Sequence, residues 1–460
     1  MTGLGSTRSA HFVGVGGSGM SPLAEILLRR GLRVSGSDLQ ASPASARLVE
    51  LGLTFHVGHD AANVGDVDVV VRSSAVAKDN PEIVEASRRG IPIVARGELL
   101  AELMRPTRGI AVAGAHGKTT TTSMIAWVLD RAGLDPTVVV GGRVPQFGSG
   151  ARIGRSDLFV AEADESDRSF LRLWPVVAVV TNLDREHLDT YASFEEIEQA
   201  FAEFLGRVPF HGRAVLCADD PSLREMAARM PRAITYGLDD RTARFGAVDI
   251  ELRGFGSQAT AVLRRDGKDE PLGTLTLAVP GRHNVANALA ATAVAMELGV
   301  PFATAARALS EFRGTARRFE RKGEAKGVTV VDDYGHHPTE IAAVLRAARA
   351  ASAGRVVCVF QPHRYTRTAH LMEDFGPALA LADEIVLTDI YSAGERPLPG
   401  VTLDALAAHV RQVHQAVTVV PEIADLPDAV ARRVRPGDLV ITLGAGSIGS
   451  VGPRILEALG

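Results

Sequence analysis

Cysteine is nearly absent: Cys217 and Cys358 are the only two in 460 residues. Two thiols cannot build a disulfide framework or a cysteine zinc site, and they fit a reducing compartment. Lysine is almost as rare. Lys78, Lys118, Lys268, Lys322 and Lys326 are the only five among 50 basic residues. A coding bias towards arginine explains the scarcity, and it makes a lysine kept inside a motif that needs a compact ammonium group informative. A dominant charge is lacking too, since a net charge of −4 gives no field of the kind that draws nucleic acid or an anionic membrane. No apolar run approaches the ~20 residues that span a bilayer; Val176–Val180 is typical of the longest. The opening segment, Met1–Gly17, has no apolar h-region, so no secretory signal is expected.

What is present is ordinary globular composition, 46% hydrophobic and 23% charged, which excludes a disordered or fibrous chain. At about 150 residues per domain the length suggests about three domains. A soluble, cytoplasmic, multidomain protein is expected. Three consecutive α/β units follow from the order of elements, since strands alternating with helices build parallel sheets. The first has strands at His11–Val15, Leu32–Val34, Val67–Val71 and Ile91–Val94 and a closing helix, Leu99–Met104. The second restarts with strand Ile110–Ala113, a glycine loop and a threonine-rich helix, then strands Leu158–Glu162 and Val176–Thr181. Alternation over Ala233–Val279 reads as antiparallel hairpins, and Val285–Leu298 as a helix. The third unit has strands at Val328–Val331, Val356–Phe360, Ile385–Thr388 and Leu439–Leu443. The expected division is 1–106, 107–313 and 314–460, with hinges at Arg105-Pro106 and Phe312-Arg313-Gly314.

Two glycine loops share one pattern. Gly14-Val15-Gly16-Gly17-Ser18-Gly19 follows a strand, precedes a helix and has Asp38 about 20 residues on, the features of a diphosphate held on backbone N–H groups. A dinucleotide and another nucleotide diphosphate both remain open on the residues alone. Gly444-Ala445-Gly446-Ser447-Ile448-Gly449 matches the same pattern too near the C-terminus for a complete mononucleotide unit, and reads as a structural turn. The string Gly114-Ala115-His116-Gly117-Lys118-Thr119-Thr120 is sharper. It lies between strand and helix, where Lys118 would reach the β- and γ-phosphates of ATP and Thr119 would face magnesium. It is a shortened phosphate loop, because Val112 stands where the longer form has glycine.

Acidic and histidine clusters follow the strands. Glu162, Asp164, Glu165 and Asp167 come directly after Leu158–Glu162, at the strand end where α/β sheets bind ligands, and one of them can share the magnesium with Thr119. His187, between Glu186 and Asp189, is a candidate second ligand. No HExxH string supports zinc hydrolysis. Val330–Glu340 brings Asp332, Asp333, His336 and His337 together in sequence, and Phe360–Arg367 offers His363, Arg364 and Arg367, a clamp for a carboxylate or phosphate. No basic stripe with interleaved aromatics accompanies them, so DNA binding is a poor reading.

Taken in order, HFVGVGGSGMSPLAE, GAHGKTT, AEADESD, TNLDREHLD, GRHNVANALAA, FRGTARRFE, DDYGHHPTE, FQPHRYTR and DIYSAGE resemble the Mur ligase family, and most closely its alanine-adding members. The resemblance covers nearly the whole chain. It implies a Rossmann-like N-terminal domain that binds UDP-N-acetylmuramate, a central ATPase-type domain with an antiparallel extension, and a Rossmann-like C-terminal domain that brings L-alanine. It implies an ATP-dependent ligase of peptidoglycan precursor synthesis, with Mg²⁺, working through an acyl phosphate. Gly16, Gly17, Ser18, Gly19, Asp38, Ser73 and Ser74 would then hold the UDP-sugar, and its diphosphate replaces a dinucleotide. Gly114 to Thr120, Asn284, Asn287 and Arg318 would hold ATP. Thr119, Glu162 and His187 would ligate metal, with Lys118, Arg318, Asp333 and His336 in the catalytic centre. His363, Arg364 and Arg367 would take the alanine carboxylate, while the group accepting the amine proton stays open among His336, His337 and a metal-bound carboxylate. A monomer or weak homodimer is expected, with no nucleic-acid or membrane partner.

Two departures from the family pattern stand out. Glu186 replaces the usual Asp before the histidine, which could shift the second metal site. The central stretch has no lysine between Lys118 and Lys268, so the carbamylated lysine of later family members has no evident counterpart. Three other readings compete: a ligase joining a preformed peptide to the same sugar nucleotide, an NAD(P)-dependent oxidoreductase, and a non-catalytic ATP-binding regulator.

Overall fold

In a computed structural model of the chain, residues 4–187, 190–265 and 267–460 are described. Asp189, singled out beside His187, lies outside them. The strands form three sheets.

The first sheet is all parallel, in the order Thr54–Val57, Arg33–Asp38, Ser9–Val13, Val69–Arg72, Ile93–Ala95. Strand order reverses between Ser9–Val13 and Val69–Arg72, the place where open α/β sheets leave a crevice for a ligand. The helix after the glycine loop begins only at Ser21, with Pro22 in its first turn; proline is tolerated there because that N–H has no helical partner.

The second sheet has ten strands, in the order Lys268–Leu277, Gly256–Arg265, Phe245–Arg253, Ala233–Tyr236, Arg213–Cys217, Val177–Val180, Arg108–Ala113, Leu158–Glu162, Thr137–Val144, Ser149–Arg152. Its central strands are continuous apolar runs buried throughout, such as Val177–Val180, as a sheet covered on both faces requires. One expectation is corrected: Ala233–Tyr236 does not belong to the hairpins but pairs parallel with Arg213–Cys217.

The third sheet runs Glu320–Ala325, Val328–Asp333, Leu439–Leu443, Val356–Phe360, Glu384–Leu387, Val417–Val419, parallel apart from its first, antiparallel edge. Side chains alternate between its faces. Val356, Cys358 and Phe360 join one core with Ile341, Leu345 and Phe375, while Val357 and Val359 join another with Leu426, Val451 and Ile455.

Contacts divide the chain into two compact units. One comprises 1–246, 262–273 and 287–309, and the other 247–261, 274–286 and 310–460. The expected hinge at Phe312–Gly314 falls near the start of the last of these segments, whereas Arg105-Pro106 lies inside the first unit. Among the described residues no helix is long and apolar enough to cross a membrane.

Candidate active site

At the crevice of the first sheet, the Gly16 N–H donates to Asp38 Oδ2 at 2.9 Å, and the Ser73 N–H donates to Val13 O at 3.2 Å. The loop Gly14–Gly19, Asp38 and Ser73 thus gather at one sheet edge. Gly17, Ser18 and Ser74 are exposed there, open to a ligand. Arg96 was not anticipated. Its guanidinium lies against Gly19 and pairs with Asp164 at 2.7 Å.

The phosphate loop sits between two neighbours of its own strand. Gly114 has φ +131°, and a Cβ there would meet Thr181 Oγ1 at 2.1 Å, at the end of the strand on one side. Gly117 caps the helix Lys118–Arg131 at φ +81°, with Asn287 Oδ1 at 2.9 Å from where a Cβ would point. Only glycine fits either position. The polar start of this helix is buried because its hydroxyls turn inward onto carbonyls: Thr122 Oγ1 donates to Lys118 O and Ser123 Oγ to Thr119 O, both at 2.7 Å.

Lys118 Nζ donates to Gly114 O at 2.6 Å, to Ala115 O at 2.9 Å and to Glu165 Oε1 at 2.8 Å. Burial works against its charge, but Glu165 and Glu186 hold its pKa well above that of an ordinary lysine. On the other flanking strand, Thr119 Oγ1 donates to Glu162 Oε1 at 2.7 Å, and Glu162 Oε2 accepts the Gly141 N–H at 2.7 Å. His116 pairs with Asp184 at 2.8 Å, and its backbone N–H donates to Asn182 Oδ1.

His187 Nε2 lies 3.1 Å from Glu165 and 3.6 Å from Glu186. One ligand atom from each of the three falls within 4.8 Å of the others. Burial opposes the His187 proton, yet the two carboxylates raise its pKa. Glu186 therefore faces the same cluster as His187. Which acid would meet Lys118 was not legible in the sequence, because four carboxylates compete within six residues. Asp164 faces Arg96 instead; burial would raise its pKa, but Arg96, Ser166 and Lys118 hold it down to about 2.

In the second unit, Asp333 Oδ2 accepts the Phe319 N–H and Oδ1 the Gly335 N–H, both at 2.7 Å. Burial pushes its pKa up to about 6 against the opposing pull of Arg318. Arg318 pairs with Glu340 at 3.5 Å, and Arg317 with Asp332 at 3.0 Å; both guanidiniums lie over the Tyr334 ring. Burial and Arg318 push the pKa of His283 down to about 4. Asn284 donates to Pro280 O at 2.7 Å.

The two histidines of the third-unit motif part company. His336 Nδ1 lies 3.0 Å from Tyr334 O; a carbonyl only accepts, so Nδ1 carries the proton and Nε2 the lone pair. His337 caps the helix Pro338–Ala351, its Nδ1 accepting from the Thr339 N–H.

His363, Arg364 and Arg367 do converge. Arg367 Nη1 donates to His363 Nδ1 at 3.0 Å, which puts the imidazole proton on Nε2. Burial, then Arg367, Arg364 and Arg317, push the His363 pKa down to about 3, so the ring is a neutral donor beside two guanidiniums. It stacks on Tyr391 at 5.6 Å and 12° and lies 5.7 Å from His336. The second glycine pattern is a turn: Gly444 O accepts from Arg317 and the Ile448 N–H from this loop donates to Gln361.

The Mur ligase family catalytic-domain model matches residues 9–108, the Mur ligase middle-domain model 112–295 and the Mur ligase glutamate-ligase-domain model 317–446. The chain belongs to the Mur ligase family. It is 53% identical over 451 residues to a UDP-N-acetylmuramate–L-alanine ligase of Anaeromyxobacter sp. (98% of this chain, 97% of that one). It is 52% identical over 461 residues to the protein of that name from Myxococcus xanthus (99% and 97%). The crystal structure of the UDP-N-acetylmuramate–alanine ligase from Thermotoga maritima aligns with a TM-score of 0.85 at 30% identity, covering 98% of each chain. That of a murein peptide ligase from Psychrobacter arcticus aligns at 0.74 and 26%, covering 98% and 99%.

In this Mur ligase the partners not singled out from the sequence are Arg96 on Asp164 and Glu340 on Arg318, while Glu165, one of four candidate acids, is the one that meets Lys118. Each is an ordinary charged residue whose role appears only once the fold has chosen its neighbour.

Proposed function

We propose that this chain is an ATP-dependent ligase joining L-alanine to the lactyl carboxylate of UDP-N-acetylmuramate, in peptidoglycan precursor synthesis. The observation that carries the reading is identity above 50% to curated alanine ligases along nearly the full length. The alternative, a ligase for a preformed peptide, is less favoured because the murein peptide ligase structure is the more distant of the two neighbours above.

In this reading residues 1–106 bind the sugar nucleotide, with its diphosphate on Gly16–Gly19 and Asp38, Ser73 and Ser74 beside it. Residues 107–313 bind ATP and residues 314–460 the amino acid. Lys118, charged throughout the working pH range, is presented to the β- and γ-phosphates once it leaves Gly114 O and Ala115 O. Asn284, Asn287 and Arg318 complete the ATP contacts, and Arg318 neutralises charge on the γ-phosphate. The lactyl carboxylate attacks the γ-phosphorus, ADP leaves, and the resulting acyl phosphate is attacked by the amine of L-alanine with loss of phosphate. Transfer between anions needs positioning and charge neutralisation more than covalent help.

Thr119 Oγ1 and Glu162 Oε1 form a pair of oxygen donors that suits Mg²⁺, and Glu165, Glu186 and His187 form a second cation set. Magnesium there would supply charge neutralisation on the phosphates. Arg364, Arg367 and the His363 Nε2–H would bind the alanine carboxylate. For the amine proton we favour His336, whose Nε2 holds the lone pair, over His337, which is engaged as a helix cap. Asp333 fixes the 317–320 segment, and with it Arg318. We place the enzyme in the cytoplasm as a monomer or weak homodimer. Phosphate release assayed across a panel of amino acids tests the reading: L-alanine is expected to support it, and a panel in which L-alanine gives no release would overturn it.

A further inference from the structure

The segment Asp389–Glu395 was noticed in the sequence without a role. It lies against the amino-acid pocket. His363 and Tyr391 form an isolated parallel bridge, and the Arg364 N–H donates to Tyr391 O at 2.8 Å. That bond holds Arg364 at φ +70°, a left-handed conformation that an arginine adopts only when its surroundings enforce it. Arg364 is the N-cap of the helix Tyr365–His370 and gives it no side-chain cap. Glu395 supplies one from outside the helix. Its Oε2 accepts the Thr366 N–H at 3.1 Å, its Oε1 accepts Thr366 Oγ1–H at 2.7 Å, and Oε1 is 3.9 Å from Arg364 Nε. One short segment thus bonds the Arg364 backbone, ties down the neighbouring Thr366 and sets a carboxylate within ion-pair distance of the Arg364 side chain.

We propose that Glu395 is a positioning residue that aims Arg364 at the carboxylate of the incoming amino acid. The inference rests on the reading of His363, Arg364 and Arg367 as the carboxylate pocket. Two effects of Glu395 oppose each other. Its negative charge offsets that of Arg364 and would weaken carboxylate binding, while its hydrogen bonds fix the geometry that makes a two-pronged guanidinium contact attainable. Both side chains are partly exposed (37% and 21%), so solvent screens the charge effect, and geometry dominates.

The two are separable by substitution. Glu395→Gln keeps an acceptor for the Thr366 N–H and an amide that can donate to the hydroxyl, but removes the charge. Glu395→Ala removes both. With the full-length enzyme, Glu395→Ala is expected to raise the KM for L-alanine about tenfold, the order of one lost capping contact. Its kcat and its KM values for ATP and UDP-N-acetylmuramate should stay within about twofold, and Glu395→Gln should remain close to the parent enzyme. An unchanged KM for L-alanine in Glu395→Ala, a parallel loss in every parameter, or a Glu395→Gln enzyme as impaired as Glu395→Ala would overturn the proposal. Arg367→Ala serves as the control for the pocket itself: if it leaves the KM for L-alanine unchanged, the pocket assignment fails, and not the role of Glu395 alone.

Discussion

Lys118 is the residue on which sequence and structure meet most directly. In a chain with five lysines, one stands at the helix start behind Gly117, its ammonium held by two loop carbonyls and Glu165. Nothing else at that position is both compact and cationic. Lys118→Ala is expected to abolish ADP formation while leaving calorimetric binding of the sugar nucleotide within about twofold, because the hydrogen bonds of its ammonium go to Gly114 O, Ala115 O and Glu165 and to no residue of the Gly14–Gly19 loop. Asp333 offers a test of electrostatics. Its carboxyl titrates near 6 because burial outweighs Arg318 and two backbone donors. Its folded-state pKa therefore lies above the unfolded one, so this group favours the fold at acid pH and loses that contribution as pH rises through 6. A carboxyl-carbon NMR titration should show the midpoint, and Arg318→Ala should move it higher, since a lowering neighbour is removed. A midpoint that falls or stays in Arg318→Ala would show that Arg318 does not act on Asp333.

At the scale of elements, the strands that carry the sites were legible because they are short apolar runs ending in glycine or acid, as at Ile110–Ala113 and Leu158–Glu162. Others were not. Glu320–Ala325, with the sequence ERKGEA, is polar throughout and becomes a strand only by pairing with Val328–Asp333; edge strands take their conformation from a partner more than from propensity. The three-residue strand Val417–Val419 was hidden by its length. Ala233–Tyr236 was assigned to hairpins because alternation alone does not separate parallel from antiparallel edges. Loop geometry gives a sharper prediction. Gly114→Ala places a methyl group 2.1 Å from Thr181 Oγ1 and 3.0 Å from the Thr181 backbone nitrogen, at φ +131°. Backbone atoms cannot step aside cheaply, so a loss of about 2 kcal/mol or more in denaturant unfolding is expected, with ATP binding lost in parallel.

For the whole molecule, the near-neutral net charge conceals strong local fields. Glu165, Glu186 and His187 gather in one unit, and Arg317, Arg318, Arg364 and Arg367 lie in the other. Composition could not reveal this, because anionic substrates are met by a few placed charges and not by a global excess. Motif order along the chain was enough to identify the Mur ligase family. The sequence did not disclose which acid holds Lys118, since that is settled by a tertiary neighbour, nor which nitrogen of His336 and His337 carries the proton, which follows from bonds to Tyr334 O and the Thr339 N–H two residues away. The most direct test of the proposed activity is ADP release from ATP, Mg²⁺ and UDP-N-acetylmuramate, measured with L-alanine and, separately, with a preformed muropeptide-type tripeptide. Release that depends on L-alanine and not on the tripeptide is expected; release that needs the tripeptide and ignores L-alanine would contradict it.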